Sequence, residues 1–252
     1  MARPKLTIYL DAVSPFGYLA FYTIYNSALF KQCDVKYVPI LLGGVMKACN
    51  NTPPLRIKNK DKFINKDRLR WAKSFNIPIS ETTPEGFPTN TVSVRLIPIS
   101  FSPVAALAPP WRFHPPPKPH AVTDPPSQTQ RALAALELAS PDKLGAAFAE
   151  VYKAYWVEGK PVEKPEVFGP ALERAVGKEL AKKAVDALGS AEAKSQLSKN
   201  TDKALADGAF GMPWYMATNA KGETEGFFGF DHLGQVIEHL GLERGDSLRS
   251  ML

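Results

Sequence analysis

Ser14 is the residue whose type and position most directly suggest chemistry. It lies in the stretch Asp11-Ala12-Val13-Ser14-Pro15-Phe16-Gly17-Tyr18, where an apolar run ends and a helix is predicted to begin. Serine followed by proline is a helix-start signal, because the hydroxyl accepts from a first-turn amide and proline lacks the amide that would go unpaired. A helix start presents free N–H groups and a partial positive charge, so it favours an anion such as a thiolate. Since a hydroxyl has one donor and two acceptor sites, Ser14 is able to cap the helix and also donate to a ligand.

Ser14 also has a purely structural interpretation, as a helix cap and nothing more. Ser140-Pro141 carries the same signal at the predicted start of a later helix. A Ser-Pro pair alone is therefore no proof of catalysis, and the rest of the chain has to separate the two interpretations.

Length and composition indicate a globular protein with a substantial core. The chain has 252 residues, of which 44% are hydrophobic, so it has room for one large domain or two modest ones. No run of 18 apolar residues exists, and the N-terminus lacks the apolar centre of a signal peptide. The net charge is +6, but Lys and Arg are scattered among acidic residues without interleaved aromatics. We therefore expect neither nucleic acid nor a membrane as a partner.

The cysteines and histidines do not form a recognisable metal or disulfide pattern. Cys33 and Cys49 are 16 positions apart, which fits neither a zinc motif nor a C-x-x-C pair, so we expect reduced thiols. No two of the four histidines stand at i and i+4. The sequence therefore predicts no metal site.

The N-terminal part has the pattern of a βαβ unit. Lys5–Leu10 is predicted to be a buried strand, a helix runs from Ser14 to about Lys31, and Asp34–Ile40 is predicted to be a second strand parallel to the first. A short helical turn is predicted to start at Val45. It leads into the polar loop 50–54, which either carries ligand contacts or is a plain surface turn.

The middle of the chain is mostly helical. The apolar residues of the helix started by Ser140-Pro141 form one stripe, which we assign to the core; they are Leu144, Phe148, Val151, Tyr152 and Tyr155. The other predicted helices are 61–76, one from Gln130, 167–176, 178–188 and 191–206. Segment 95–129 holds ten of the 23 prolines, which precludes regular structure, so we expect a disordered insertion.

The C-terminal part returns to strands. Residues 212–218 and Thr224–Phe228 flank a polar turn and predict a β-hairpin. Asp231 is predicted to cap a last helix whose Leu233, Val236, Ile237 and Leu240 share one face. The element order is therefore βαβ, a helical block, then ββα.

Four separated motifs in this order resemble one family. The motifs are Ser14-Pro15-Phe16-Gly17-Tyr18, Gly211-Met212-Pro213, Phe228-Gly229-Phe230-Asp231, and 44–47 with Asn51-Thr52-Pro53-Pro54. They resemble the signature sites of kappa-class glutathione transferases and 2-hydroxychromene-2-carboxylate isomerases. The resemblance implies a thioredoxin-like α/β fold with a DsbA-type helical domain inserted between the second and third strands. It implies a thioredoxin-like domain at 1–42 and 208–252, and a helical domain at 43–207. The resemblance leaves out 95–129, and we hypothesise that this segment is a retained intron.

The resemblance also assigns roles to particular residues. Ser14 is similar to the catalytic residue whose hydroxyl donates to the glutathione sulfur, with Pro15 and Phe16 beside it. Pro213 resembles a cis-proline, which leaves the Met212 backbone free to pair with the peptide part of glutathione. The remaining contacts implied at the two ends of glutathione are Asn51, Phe230 and Asp231. Family members from mammals have serine where this chain has Phe230, so one side-chain hydrogen bond to glutathione is lost.

The function that the resemblance implies is glutathione transfer to electrophiles, or peroxide reduction, for detoxification. Two alternatives stay open: an isomerase using the same glutathione site, and an inactive glutathione-binding protein. A disulfide oxidoreductase is disfavoured because Ser14–Gly17 contains no cysteine. Glutathione enters as a co-substrate and no other cofactor is expected. We expect a homodimer in the peroxisome or mitochondrion, with the cytoplasm as an alternative; Ser250-Met251-Leu252 resembles a degenerate peroxisomal address.

Overall fold

A four-stranded mixed sheet forms the centre of the fold. The computed structural model describes residues 2–84, 87 and 127–243. The strands are β1 (Lys5–Leu10), β2 (Asp34–Pro39), β3 (Trp214–Thr218) and β4 (Thr224–Phe228). They lie in the order β2-β1-β3-β4, with β1 and β2 parallel and β3 antiparallel to both β1 and β4. The two ends of the chain therefore build one sheet.

Helices connect and cover the strands. Within the described residues they are α1 (Pro15–Asn26), α2 (Leu42–Ala48), α3 (Lys60–Ser74), α4 (Ser127–Ala139), α5 (Leu144–Tyr152), α6 (Pro165–Val176), α7 (Lys178–Asp186), α8 (Ala191–Ala206) and α9 (Leu233–Leu240). A π-helical turn, Lys153–Val157, extends α5. No helix in the described ranges is long and apolar enough to cross a bilayer.

The sheet buries both of its faces. Leu6, Ile8 and Leu10 of β1 point into the main core, which also contains side chains of α1, α5, α6 and α9. Tyr9 points to the opposite face and joins a smaller cluster that α2 and α8 cover. Since successive side chains of a strand alternate between faces, this division follows directly from the order of residues in β1.

The predicted fold class is confirmed. The βαβ unit, the helical block between β2 and β3, and the ββα unit all occur in the predicted order. The bounds of β1, β4 and α8 agree with the sequence analysis. The division into one domain at 1–42 and 208–252 and another at 43–207 stays a prediction.

Two N-terminal helices differ from the predicted bounds. The predicted helix from Ser14 to Lys31 ends as α1 at Asn26, where Ser27 begins a 3₁₀ turn by accepting from Leu29 N. The helix predicted to start at Val45 starts at Leu42 instead, because its first amide donates to the Asp11 carboxylate at 2.8 Å. That partner lies 31 residues earlier, so local sequence does not reveal it.

The end of the proline-rich segment is also different from the prediction. Helix α4 begins at Ser127, so 127–129 belong to a regular element, contrary to the expectation for 95–129. Thr129 is buried and its hydroxyl donates to Val162 O. A tertiary contact therefore accompanies an extension of the N-terminus of α4, which begins three residues before Gln130, where the sequence pattern begins. The expected disorder of 95–126 and the C-terminal tripeptide lie outside the described residues.

Two predicted capping residues do not cap. Ser140 precedes a 3₁₀ turn, Pro141–Lys143, and its side chain makes no cap hydrogen bond. Asp231 lies inside another 3₁₀ turn, Phe230–His232, so the residue before α9 is His232. The Asp231 carboxylate instead lies 3.3 Å from His232 Nδ1. The prediction that Asp231 caps α9 is wrong because an extra turn separates it from the helix.

Candidate functional site

Ser14 stands at the junction between β1 and α1 and caps the helix. Its Oγ accepts from Gly17 N at 3.0 Å, and its carbonyl accepts from Tyr18 N at 2.9 Å. The residue is only 4% exposed. Among the described residues, no acceptor takes the hydroxyl hydrogen of Ser14. The serine therefore acts as a cap and keeps a donor for another group.

Gly17 leaves the space that Ser14 occupies. A Cβ added at Gly17 would lie 3.0 Å from Ser14 Cβ and 3.2 Å from both Ser14 Oγ and Tyr152 Oη. These distances are shorter than ordinary van der Waals contact. A larger residue at position 17 would therefore displace the serine hydroxyl or the tyrosine.

Two buried aromatic residues hold the loop that precedes Ser14. Tyr152 Oη donates to Asp11 O at 3.1 Å, and Trp156 Nε1 donates to Ala12 O at 3.0 Å. Both side chains are fully buried. Burial raises the pKa of Tyr152, so the phenol keeps the hydrogen that it donates. The π-turn carries Trp156, a type of turn that occurs often at functional sites.

The Asp11 carboxylate joins three elements behind this loop. Oδ1 accepts from Gln130 Nε2 at 2.9 Å and from Val13 N at 3.3 Å, and Oδ2 accepts from Leu42 N. Burial raises the pKa of Asp11, and these hydrogen bonds act in the opposite direction. Sequence reasoning treated Asp11 only as the end of a strand. The sequence signal that could have identified Asp11 as a buried connecting residue was the position of an acidic side chain between a buried strand and a helix start.

The predicted cis-proline turn lies beside the end of β1. The Met212–Pro213 peptide bond is cis. The antiparallel register pairs Tyr9 with Trp214, so continuing it brings this turn next to the loop that leads to Ser14. The Met212 backbone makes no hydrogen bond to any other residue in the described ranges.

Asn51 connects the loop after α2 to the segment before Met212. Its Nδ2 donates to Phe210 O at 2.8 Å, and its backbone N–H donates to Met46 O at 2.8 Å. Cys49 makes a similar contact, from Sγ to Ala209 O at 3.5 Å. Asn51 thus has a structural role, and its exposed side chain keeps an amide oxygen and one N–H for other partners.

Phe230 and Asp231 differ sharply in burial. The Phe230 ring lies in the core, edge-on to Trp71 at 5.4 Å and to Phe75 at 5.0 Å between ring centroids. Only the backbone of Phe230 is therefore available to a ligand. The Asp231 side chain is 60% exposed.

A glycine and a backbone hydrogen bond connect this turn to the proline. Gly229 N donates to Pro213 O at 3.0 Å. Gly229 has φ +91°, and a Cβ there would lie 2.4 Å from Asp231 Oδ1. Only glycine therefore fits both the backbone conformation and the position of the carboxylate.

The structure gathers the predicted residues at one end of the sheet. Pro15 and Phe16 form the half-buried first turn of α1. Helix α1 packs against the turn that holds Phe230 and Asp231. The strand register brings Met212 and Pro213 to the same end, and Asn51 reaches it through Phe210.

Two other features lie apart from this group. A cavity of about 510 Å³ between β2 and the start of α5 is lined by Tyr25, Tyr37 and Gly145, among others, and by none of the predicted site residues. Within the described part of the chain, no three His, Cys, Asp or Glu side chains are grouped so as to hold a metal ion.

The sequence matches a family that has this architecture. The profile of the DSBA-like thioredoxin domain matches residues 5–103 and 111–241. The chain belongs to this family. The match includes most of 95–129, which we expected a family resemblance to leave out.

Individual relatives of this DSBA-like chain carry the names expected from its motifs. Glutathione S-transferase kappa 2 of Caenorhabditis elegans is 27% identical over 94% of this chain and 92% of its own length. Glutathione S-transferase kappa 1 of Homo sapiens is 25% identical over 92% of this chain and 88% of its own. The predicted resemblance to kappa-class transferases is therefore confirmed.

Solved structures agree on the fold. A 2-hydroxychromene-2-carboxylate isomerase superposes with a TM-score of 0.66 at 20% identity, over 94% of each chain. The cytosolic disulfide reductase DsbM from Pseudomonas aeruginosa with GSH has a TM-score of 0.54 at 16% identity, over 94% of this chain and 96% of that one. At such identities the likeness concerns the fold alone.

Proposed function

We propose that this DSBA-like chain is a glutathione transferase of the kappa type, in which Ser14 donates a hydrogen bond to the glutathione sulfur and favours its thiolate form. The observation that carries the proposal is the state of the Ser14 hydroxyl. Its oxygen accepts from Gly17 N, and its hydrogen has no acceptor among the described residues. The relatives named glutathione S-transferase kappa support glutathione as the ligand.

The required stabilisation of the thiolate is within reach of this arrangement. A thiol with a pKa of about 8.5 is only a few per cent thiolate at neutral pH, and the thiolate is the nucleophile. Lowering that pKa by about 2 units takes roughly 2.7 kcal/mol. A helix start contributes about 0.3 to 1 kcal/mol, and a hydrogen bond to a charged group contributes about 1.5 to 3 kcal/mol. Together they contribute about 1.8 to 4 kcal/mol, a range that includes the required stabilisation.

The remaining site residues would hold the peptide part of glutathione. The Met212 backbone, before Pro213, has no hydrogen-bond partner among the described residues and suits strand-like pairing with the tripeptide. The exposed Asp231 carboxylate suits the ammonium group at the γ-glutamyl end. Asn51 would contribute its free amide oxygen, and Phe230 only its backbone amide. Pro15 and Phe16 would flank the sulfur.

In the proposed reaction the bound thiolate attacks an electrophilic carbon. A sulfur–carbon bond forms, the leaving group departs with its electron pair, and the thiol proton passes to solvent. Ser14 keeps its own hydrogen throughout. A peroxide is the alternative electrophile for the same thiolate.

Replacing Ser14 by alanine tests the proposal. We expect Ser14→Ala to raise the pH at which bound thiolate forms by about 1 to 2 units, because one charge-assisted hydrogen bond is lost. The rate of conjugation to chlorodinitrobenzene at neutral pH should fall by about ten- to a hundredfold. The thiolate is followed by its ultraviolet absorbance in the complex.

The second Ser-Pro serine provides a matched control. Ser140 precedes a turn in the same way but its side chain caps nothing, so Ser140→Ala should leave both measurements unchanged. A Ser14→Ala enzyme that conjugates the electrophile at the wild-type rate would show that the assignment is wrong.

Isomerase activity is a second candidate because the motifs at Ser14, Met212-Pro213 and Asp231 also resemble those of 2-hydroxychromene-2-carboxylate isomerases. Both reactions would use one glutathione site, so assays of both on the same preparation separate them. Binding to immobilised glutathione with no turnover in either assay would instead favour an inactive glutathione-binding protein. The homodimer and the peroxisomal or mitochondrial compartment remain predictions, testable by light scattering and by localisation of the tagged chain.

A further inference from the structure

The net positive charge of the chain comes from one stretch, although Lys and Arg occur throughout the sequence. Residues 56–73 contain eight basic and two acidic side chains, a net charge of +6, which equals the net charge of all 252 residues. The stretch consists of a 3₁₀ turn, Pro54–Arg56, the residues that follow it, and helix α3. The rest of the chain is neutral on balance, so this element dominates the electrostatic character of the molecule.

Helix α3 presents one continuous basic surface to solvent. With 3.6 residues per turn, Lys62, Phe63, Lys66, Arg70 and Lys73 lie on one side, and we call them the α3 outer face. All five are exposed. The opposite side contains the buried Arg68 and Ala72, which anchor the helix to the protein.

Arg68 shows how a basic residue of this helix is satisfied by hydrogen bonds when it faces inward. Its guanidinium donates to Asn65 Oδ1, Ser80 O and Glu81 O and lies 5.7 Å from the Trp156 ring. Within the ranges that the structure describes, the cations of the α3 outer face have no such partners. Among the described residues, none of the ion pairs involves any residue from 56 to 73.

Apolar side chains stand among these cations. Phe63, at one edge of the α3 outer face, is 54% exposed, and Ile57, just before α3, is 40% exposed. Arg56 and Lys58 flank Ile57 and are exposed as well. The turn that precedes Ile57 packs against α3, so both apolar residues belong to one surface region.

We propose that the α3 outer face docks the protein on a bilayer that contains anionic phospholipid. Clusters of four to eight Lys and Arg on an amphipathic helix bind such surfaces, with about 1 kcal/mol from each cation. Exposed apolar side chains among the cations enter the boundary between headgroups and acyl chains. The sequence prediction of no membrane partner rested on the lack of a spanning segment, and surface docking needs none.

Other occupants fit this surface less well. A second copy of the chain related by a two-fold axis would place its own cations against these, because such an interface pairs one patch with itself. Single-stranded nucleic acid binds in basic grooves of a protein and stacks on aromatic side chains, whereas this convex helix offers mostly lysines and one phenylalanine. A fluid lipid surface accommodates a convex, lysine-rich helix with protruding apolar residues.

Sedimentation with lipid vesicles tests the proposal on the full-length protein. We expect binding to vesicles of phosphatidylcholine with about one third phosphatidylserine, little binding to phosphatidylcholine alone, and loss of binding in high salt. The double variant Lys66→Glu/Arg70→Glu should bind at least about thirtyfold more weakly, since each cation accounts for roughly a fivefold change. Phe63→Ser should weaken the binding that persists at moderate salt.

A charge-matched control lies on another helix. Lys194 and Lys199 of α8 are exposed and take no part in the ion pairs of the described residues, so Lys194→Glu/Lys199→Glu changes the net charge equally. It should bind vesicles like the wild type. An equal loss in both double variants would mean that net charge alone acts, and would overturn the proposal.

Three further results would also overturn it: no binding to anionic vesicles in low salt, equal binding to zwitterionic vesicles, or preferential binding of a single-stranded RNA that displaces the vesicles. The outcome is independent of the proposed enzyme function. Both α3 variants should retain wild-type glutathione binding and thermal stability, and a protein that fails to bind glutathione still reports on lipid docking.

Discussion

At the scale of single residues, the loop before Ser14 depends on two buried donors from the helical region. Tyr152 and Trp156 donate to the carbonyl oxygens of two consecutive residues, Asp11 and Ala12. Ser14 N donates to the same Asp11 O at 3.1 Å, so the serine backbone is bonded to the carbonyl that Tyr152 holds. The position of the serine is therefore set by side chains about 140 residues away in the sequence.

We predict that Tyr152→Phe lowers the free energy of unfolding by about 0.5 to 1.5 kcal/mol, because Asp11 O loses this hydrogen bond but keeps the one from Ser14 N. Urea unfolding measures the change. If the proposed function holds, kcat falls as well, since the loop carries Ser14.

Tyr215 provides the control for Tyr152. Its hydroxyl is equally buried but has no hydrogen-bond partner in the described part of the chain. Tyr215→Phe should therefore be neutral or slightly stabilising, because it removes a polar group that is buried without a partner. Equal losses in the two variants would contradict the role given to Tyr152.

The two cysteines should differ in reactivity. Cys33 is buried, and burial raises the pKa of its thiol to about 11, whereas the Cys49 side chain is exposed. Since the thiolate is the reactive form, we predict one fast-reacting thiol per native chain near pH 8 and two in denaturant. Titration with Ellman's reagent counts them. Cys49→Ser should abolish the fast reaction and Cys33→Ser should preserve it; the reverse pattern would refute the prediction.

At the scale of elements, Asp11 joins β1 to α2 and α4. Its carboxylate accepts from Leu42 N at the start of α2 and from Gln130 Nε2 in α4. One side chain at a strand end thus fixes where one helix begins and where another lies. This explains why α2 starts three residues before its apparent sequence signal.

The raised pKa of Asp11 predicts how stability depends on pH. The folded protein holds this proton to higher pH than the unfolded chain, whose Asp11 titrates near the ordinary aspartate pKa of 3.8. The contribution of Asp11 is therefore fully present below that value and is lost as pH rises through the folded pKa. The stability of the wild type relative to Asp11→Asn should fall over this range.

Urea unfolding from pH 3.5 upward measures this difference. Asp142→Asn is the control, because the Asp142 side chain is exposed and its replacement should change stability by less than about 0.5 kcal/mol. A stability difference between wild type and Asp11→Asn that stays constant, or rises, with pH would contradict the direction given for the pKa of Asp11.

At the scale of the whole molecule, the helical region is joined to the sheet through α4. Thr129 donates to Val162 O, and Gln130 reaches Asp11, so the first turn of α4 is part of the folded structure. The boundary of any removable segment must therefore lie before Ser127.

Two deletions test this boundary. A chain that lacks 95–126 keeps all of α4, whereas a chain that lacks 95–129 also loses the Thr129 hydrogen bond and the first residues of the helix. We predict that the longer deletion is less stable than the shorter one by at least about 1 kcal/mol. Thermal or urea unfolding measures both. Equal stability of the two would show that 127–129 contribute nothing to the fold.

The sequence by itself determined the elements whose signals are local. Four features depend on neighbouring residues and were predicted: the buried strand β1, the Ser14-Pro15 start of α1, the hairpin turn before β4 and the bounds of α8. Separated motifs in the correct order also indicated the family, because spacing and order survive in a sequence without any coordinates.

Only the tertiary structure decided what lies around Ser14. Contacts between distant parts of the chain bury Asp11, bring the donors Tyr152 and Trp156 to the loop and place Phe230 in the core. They also form the turn that separates Asp231 from the start of α9. A sequence pattern reports whether a side chain is apolar and where it repeats. It does not report which carbonyl a buried phenol or indole will meet, because that partner is chosen when strand, helix and π-turn pack together.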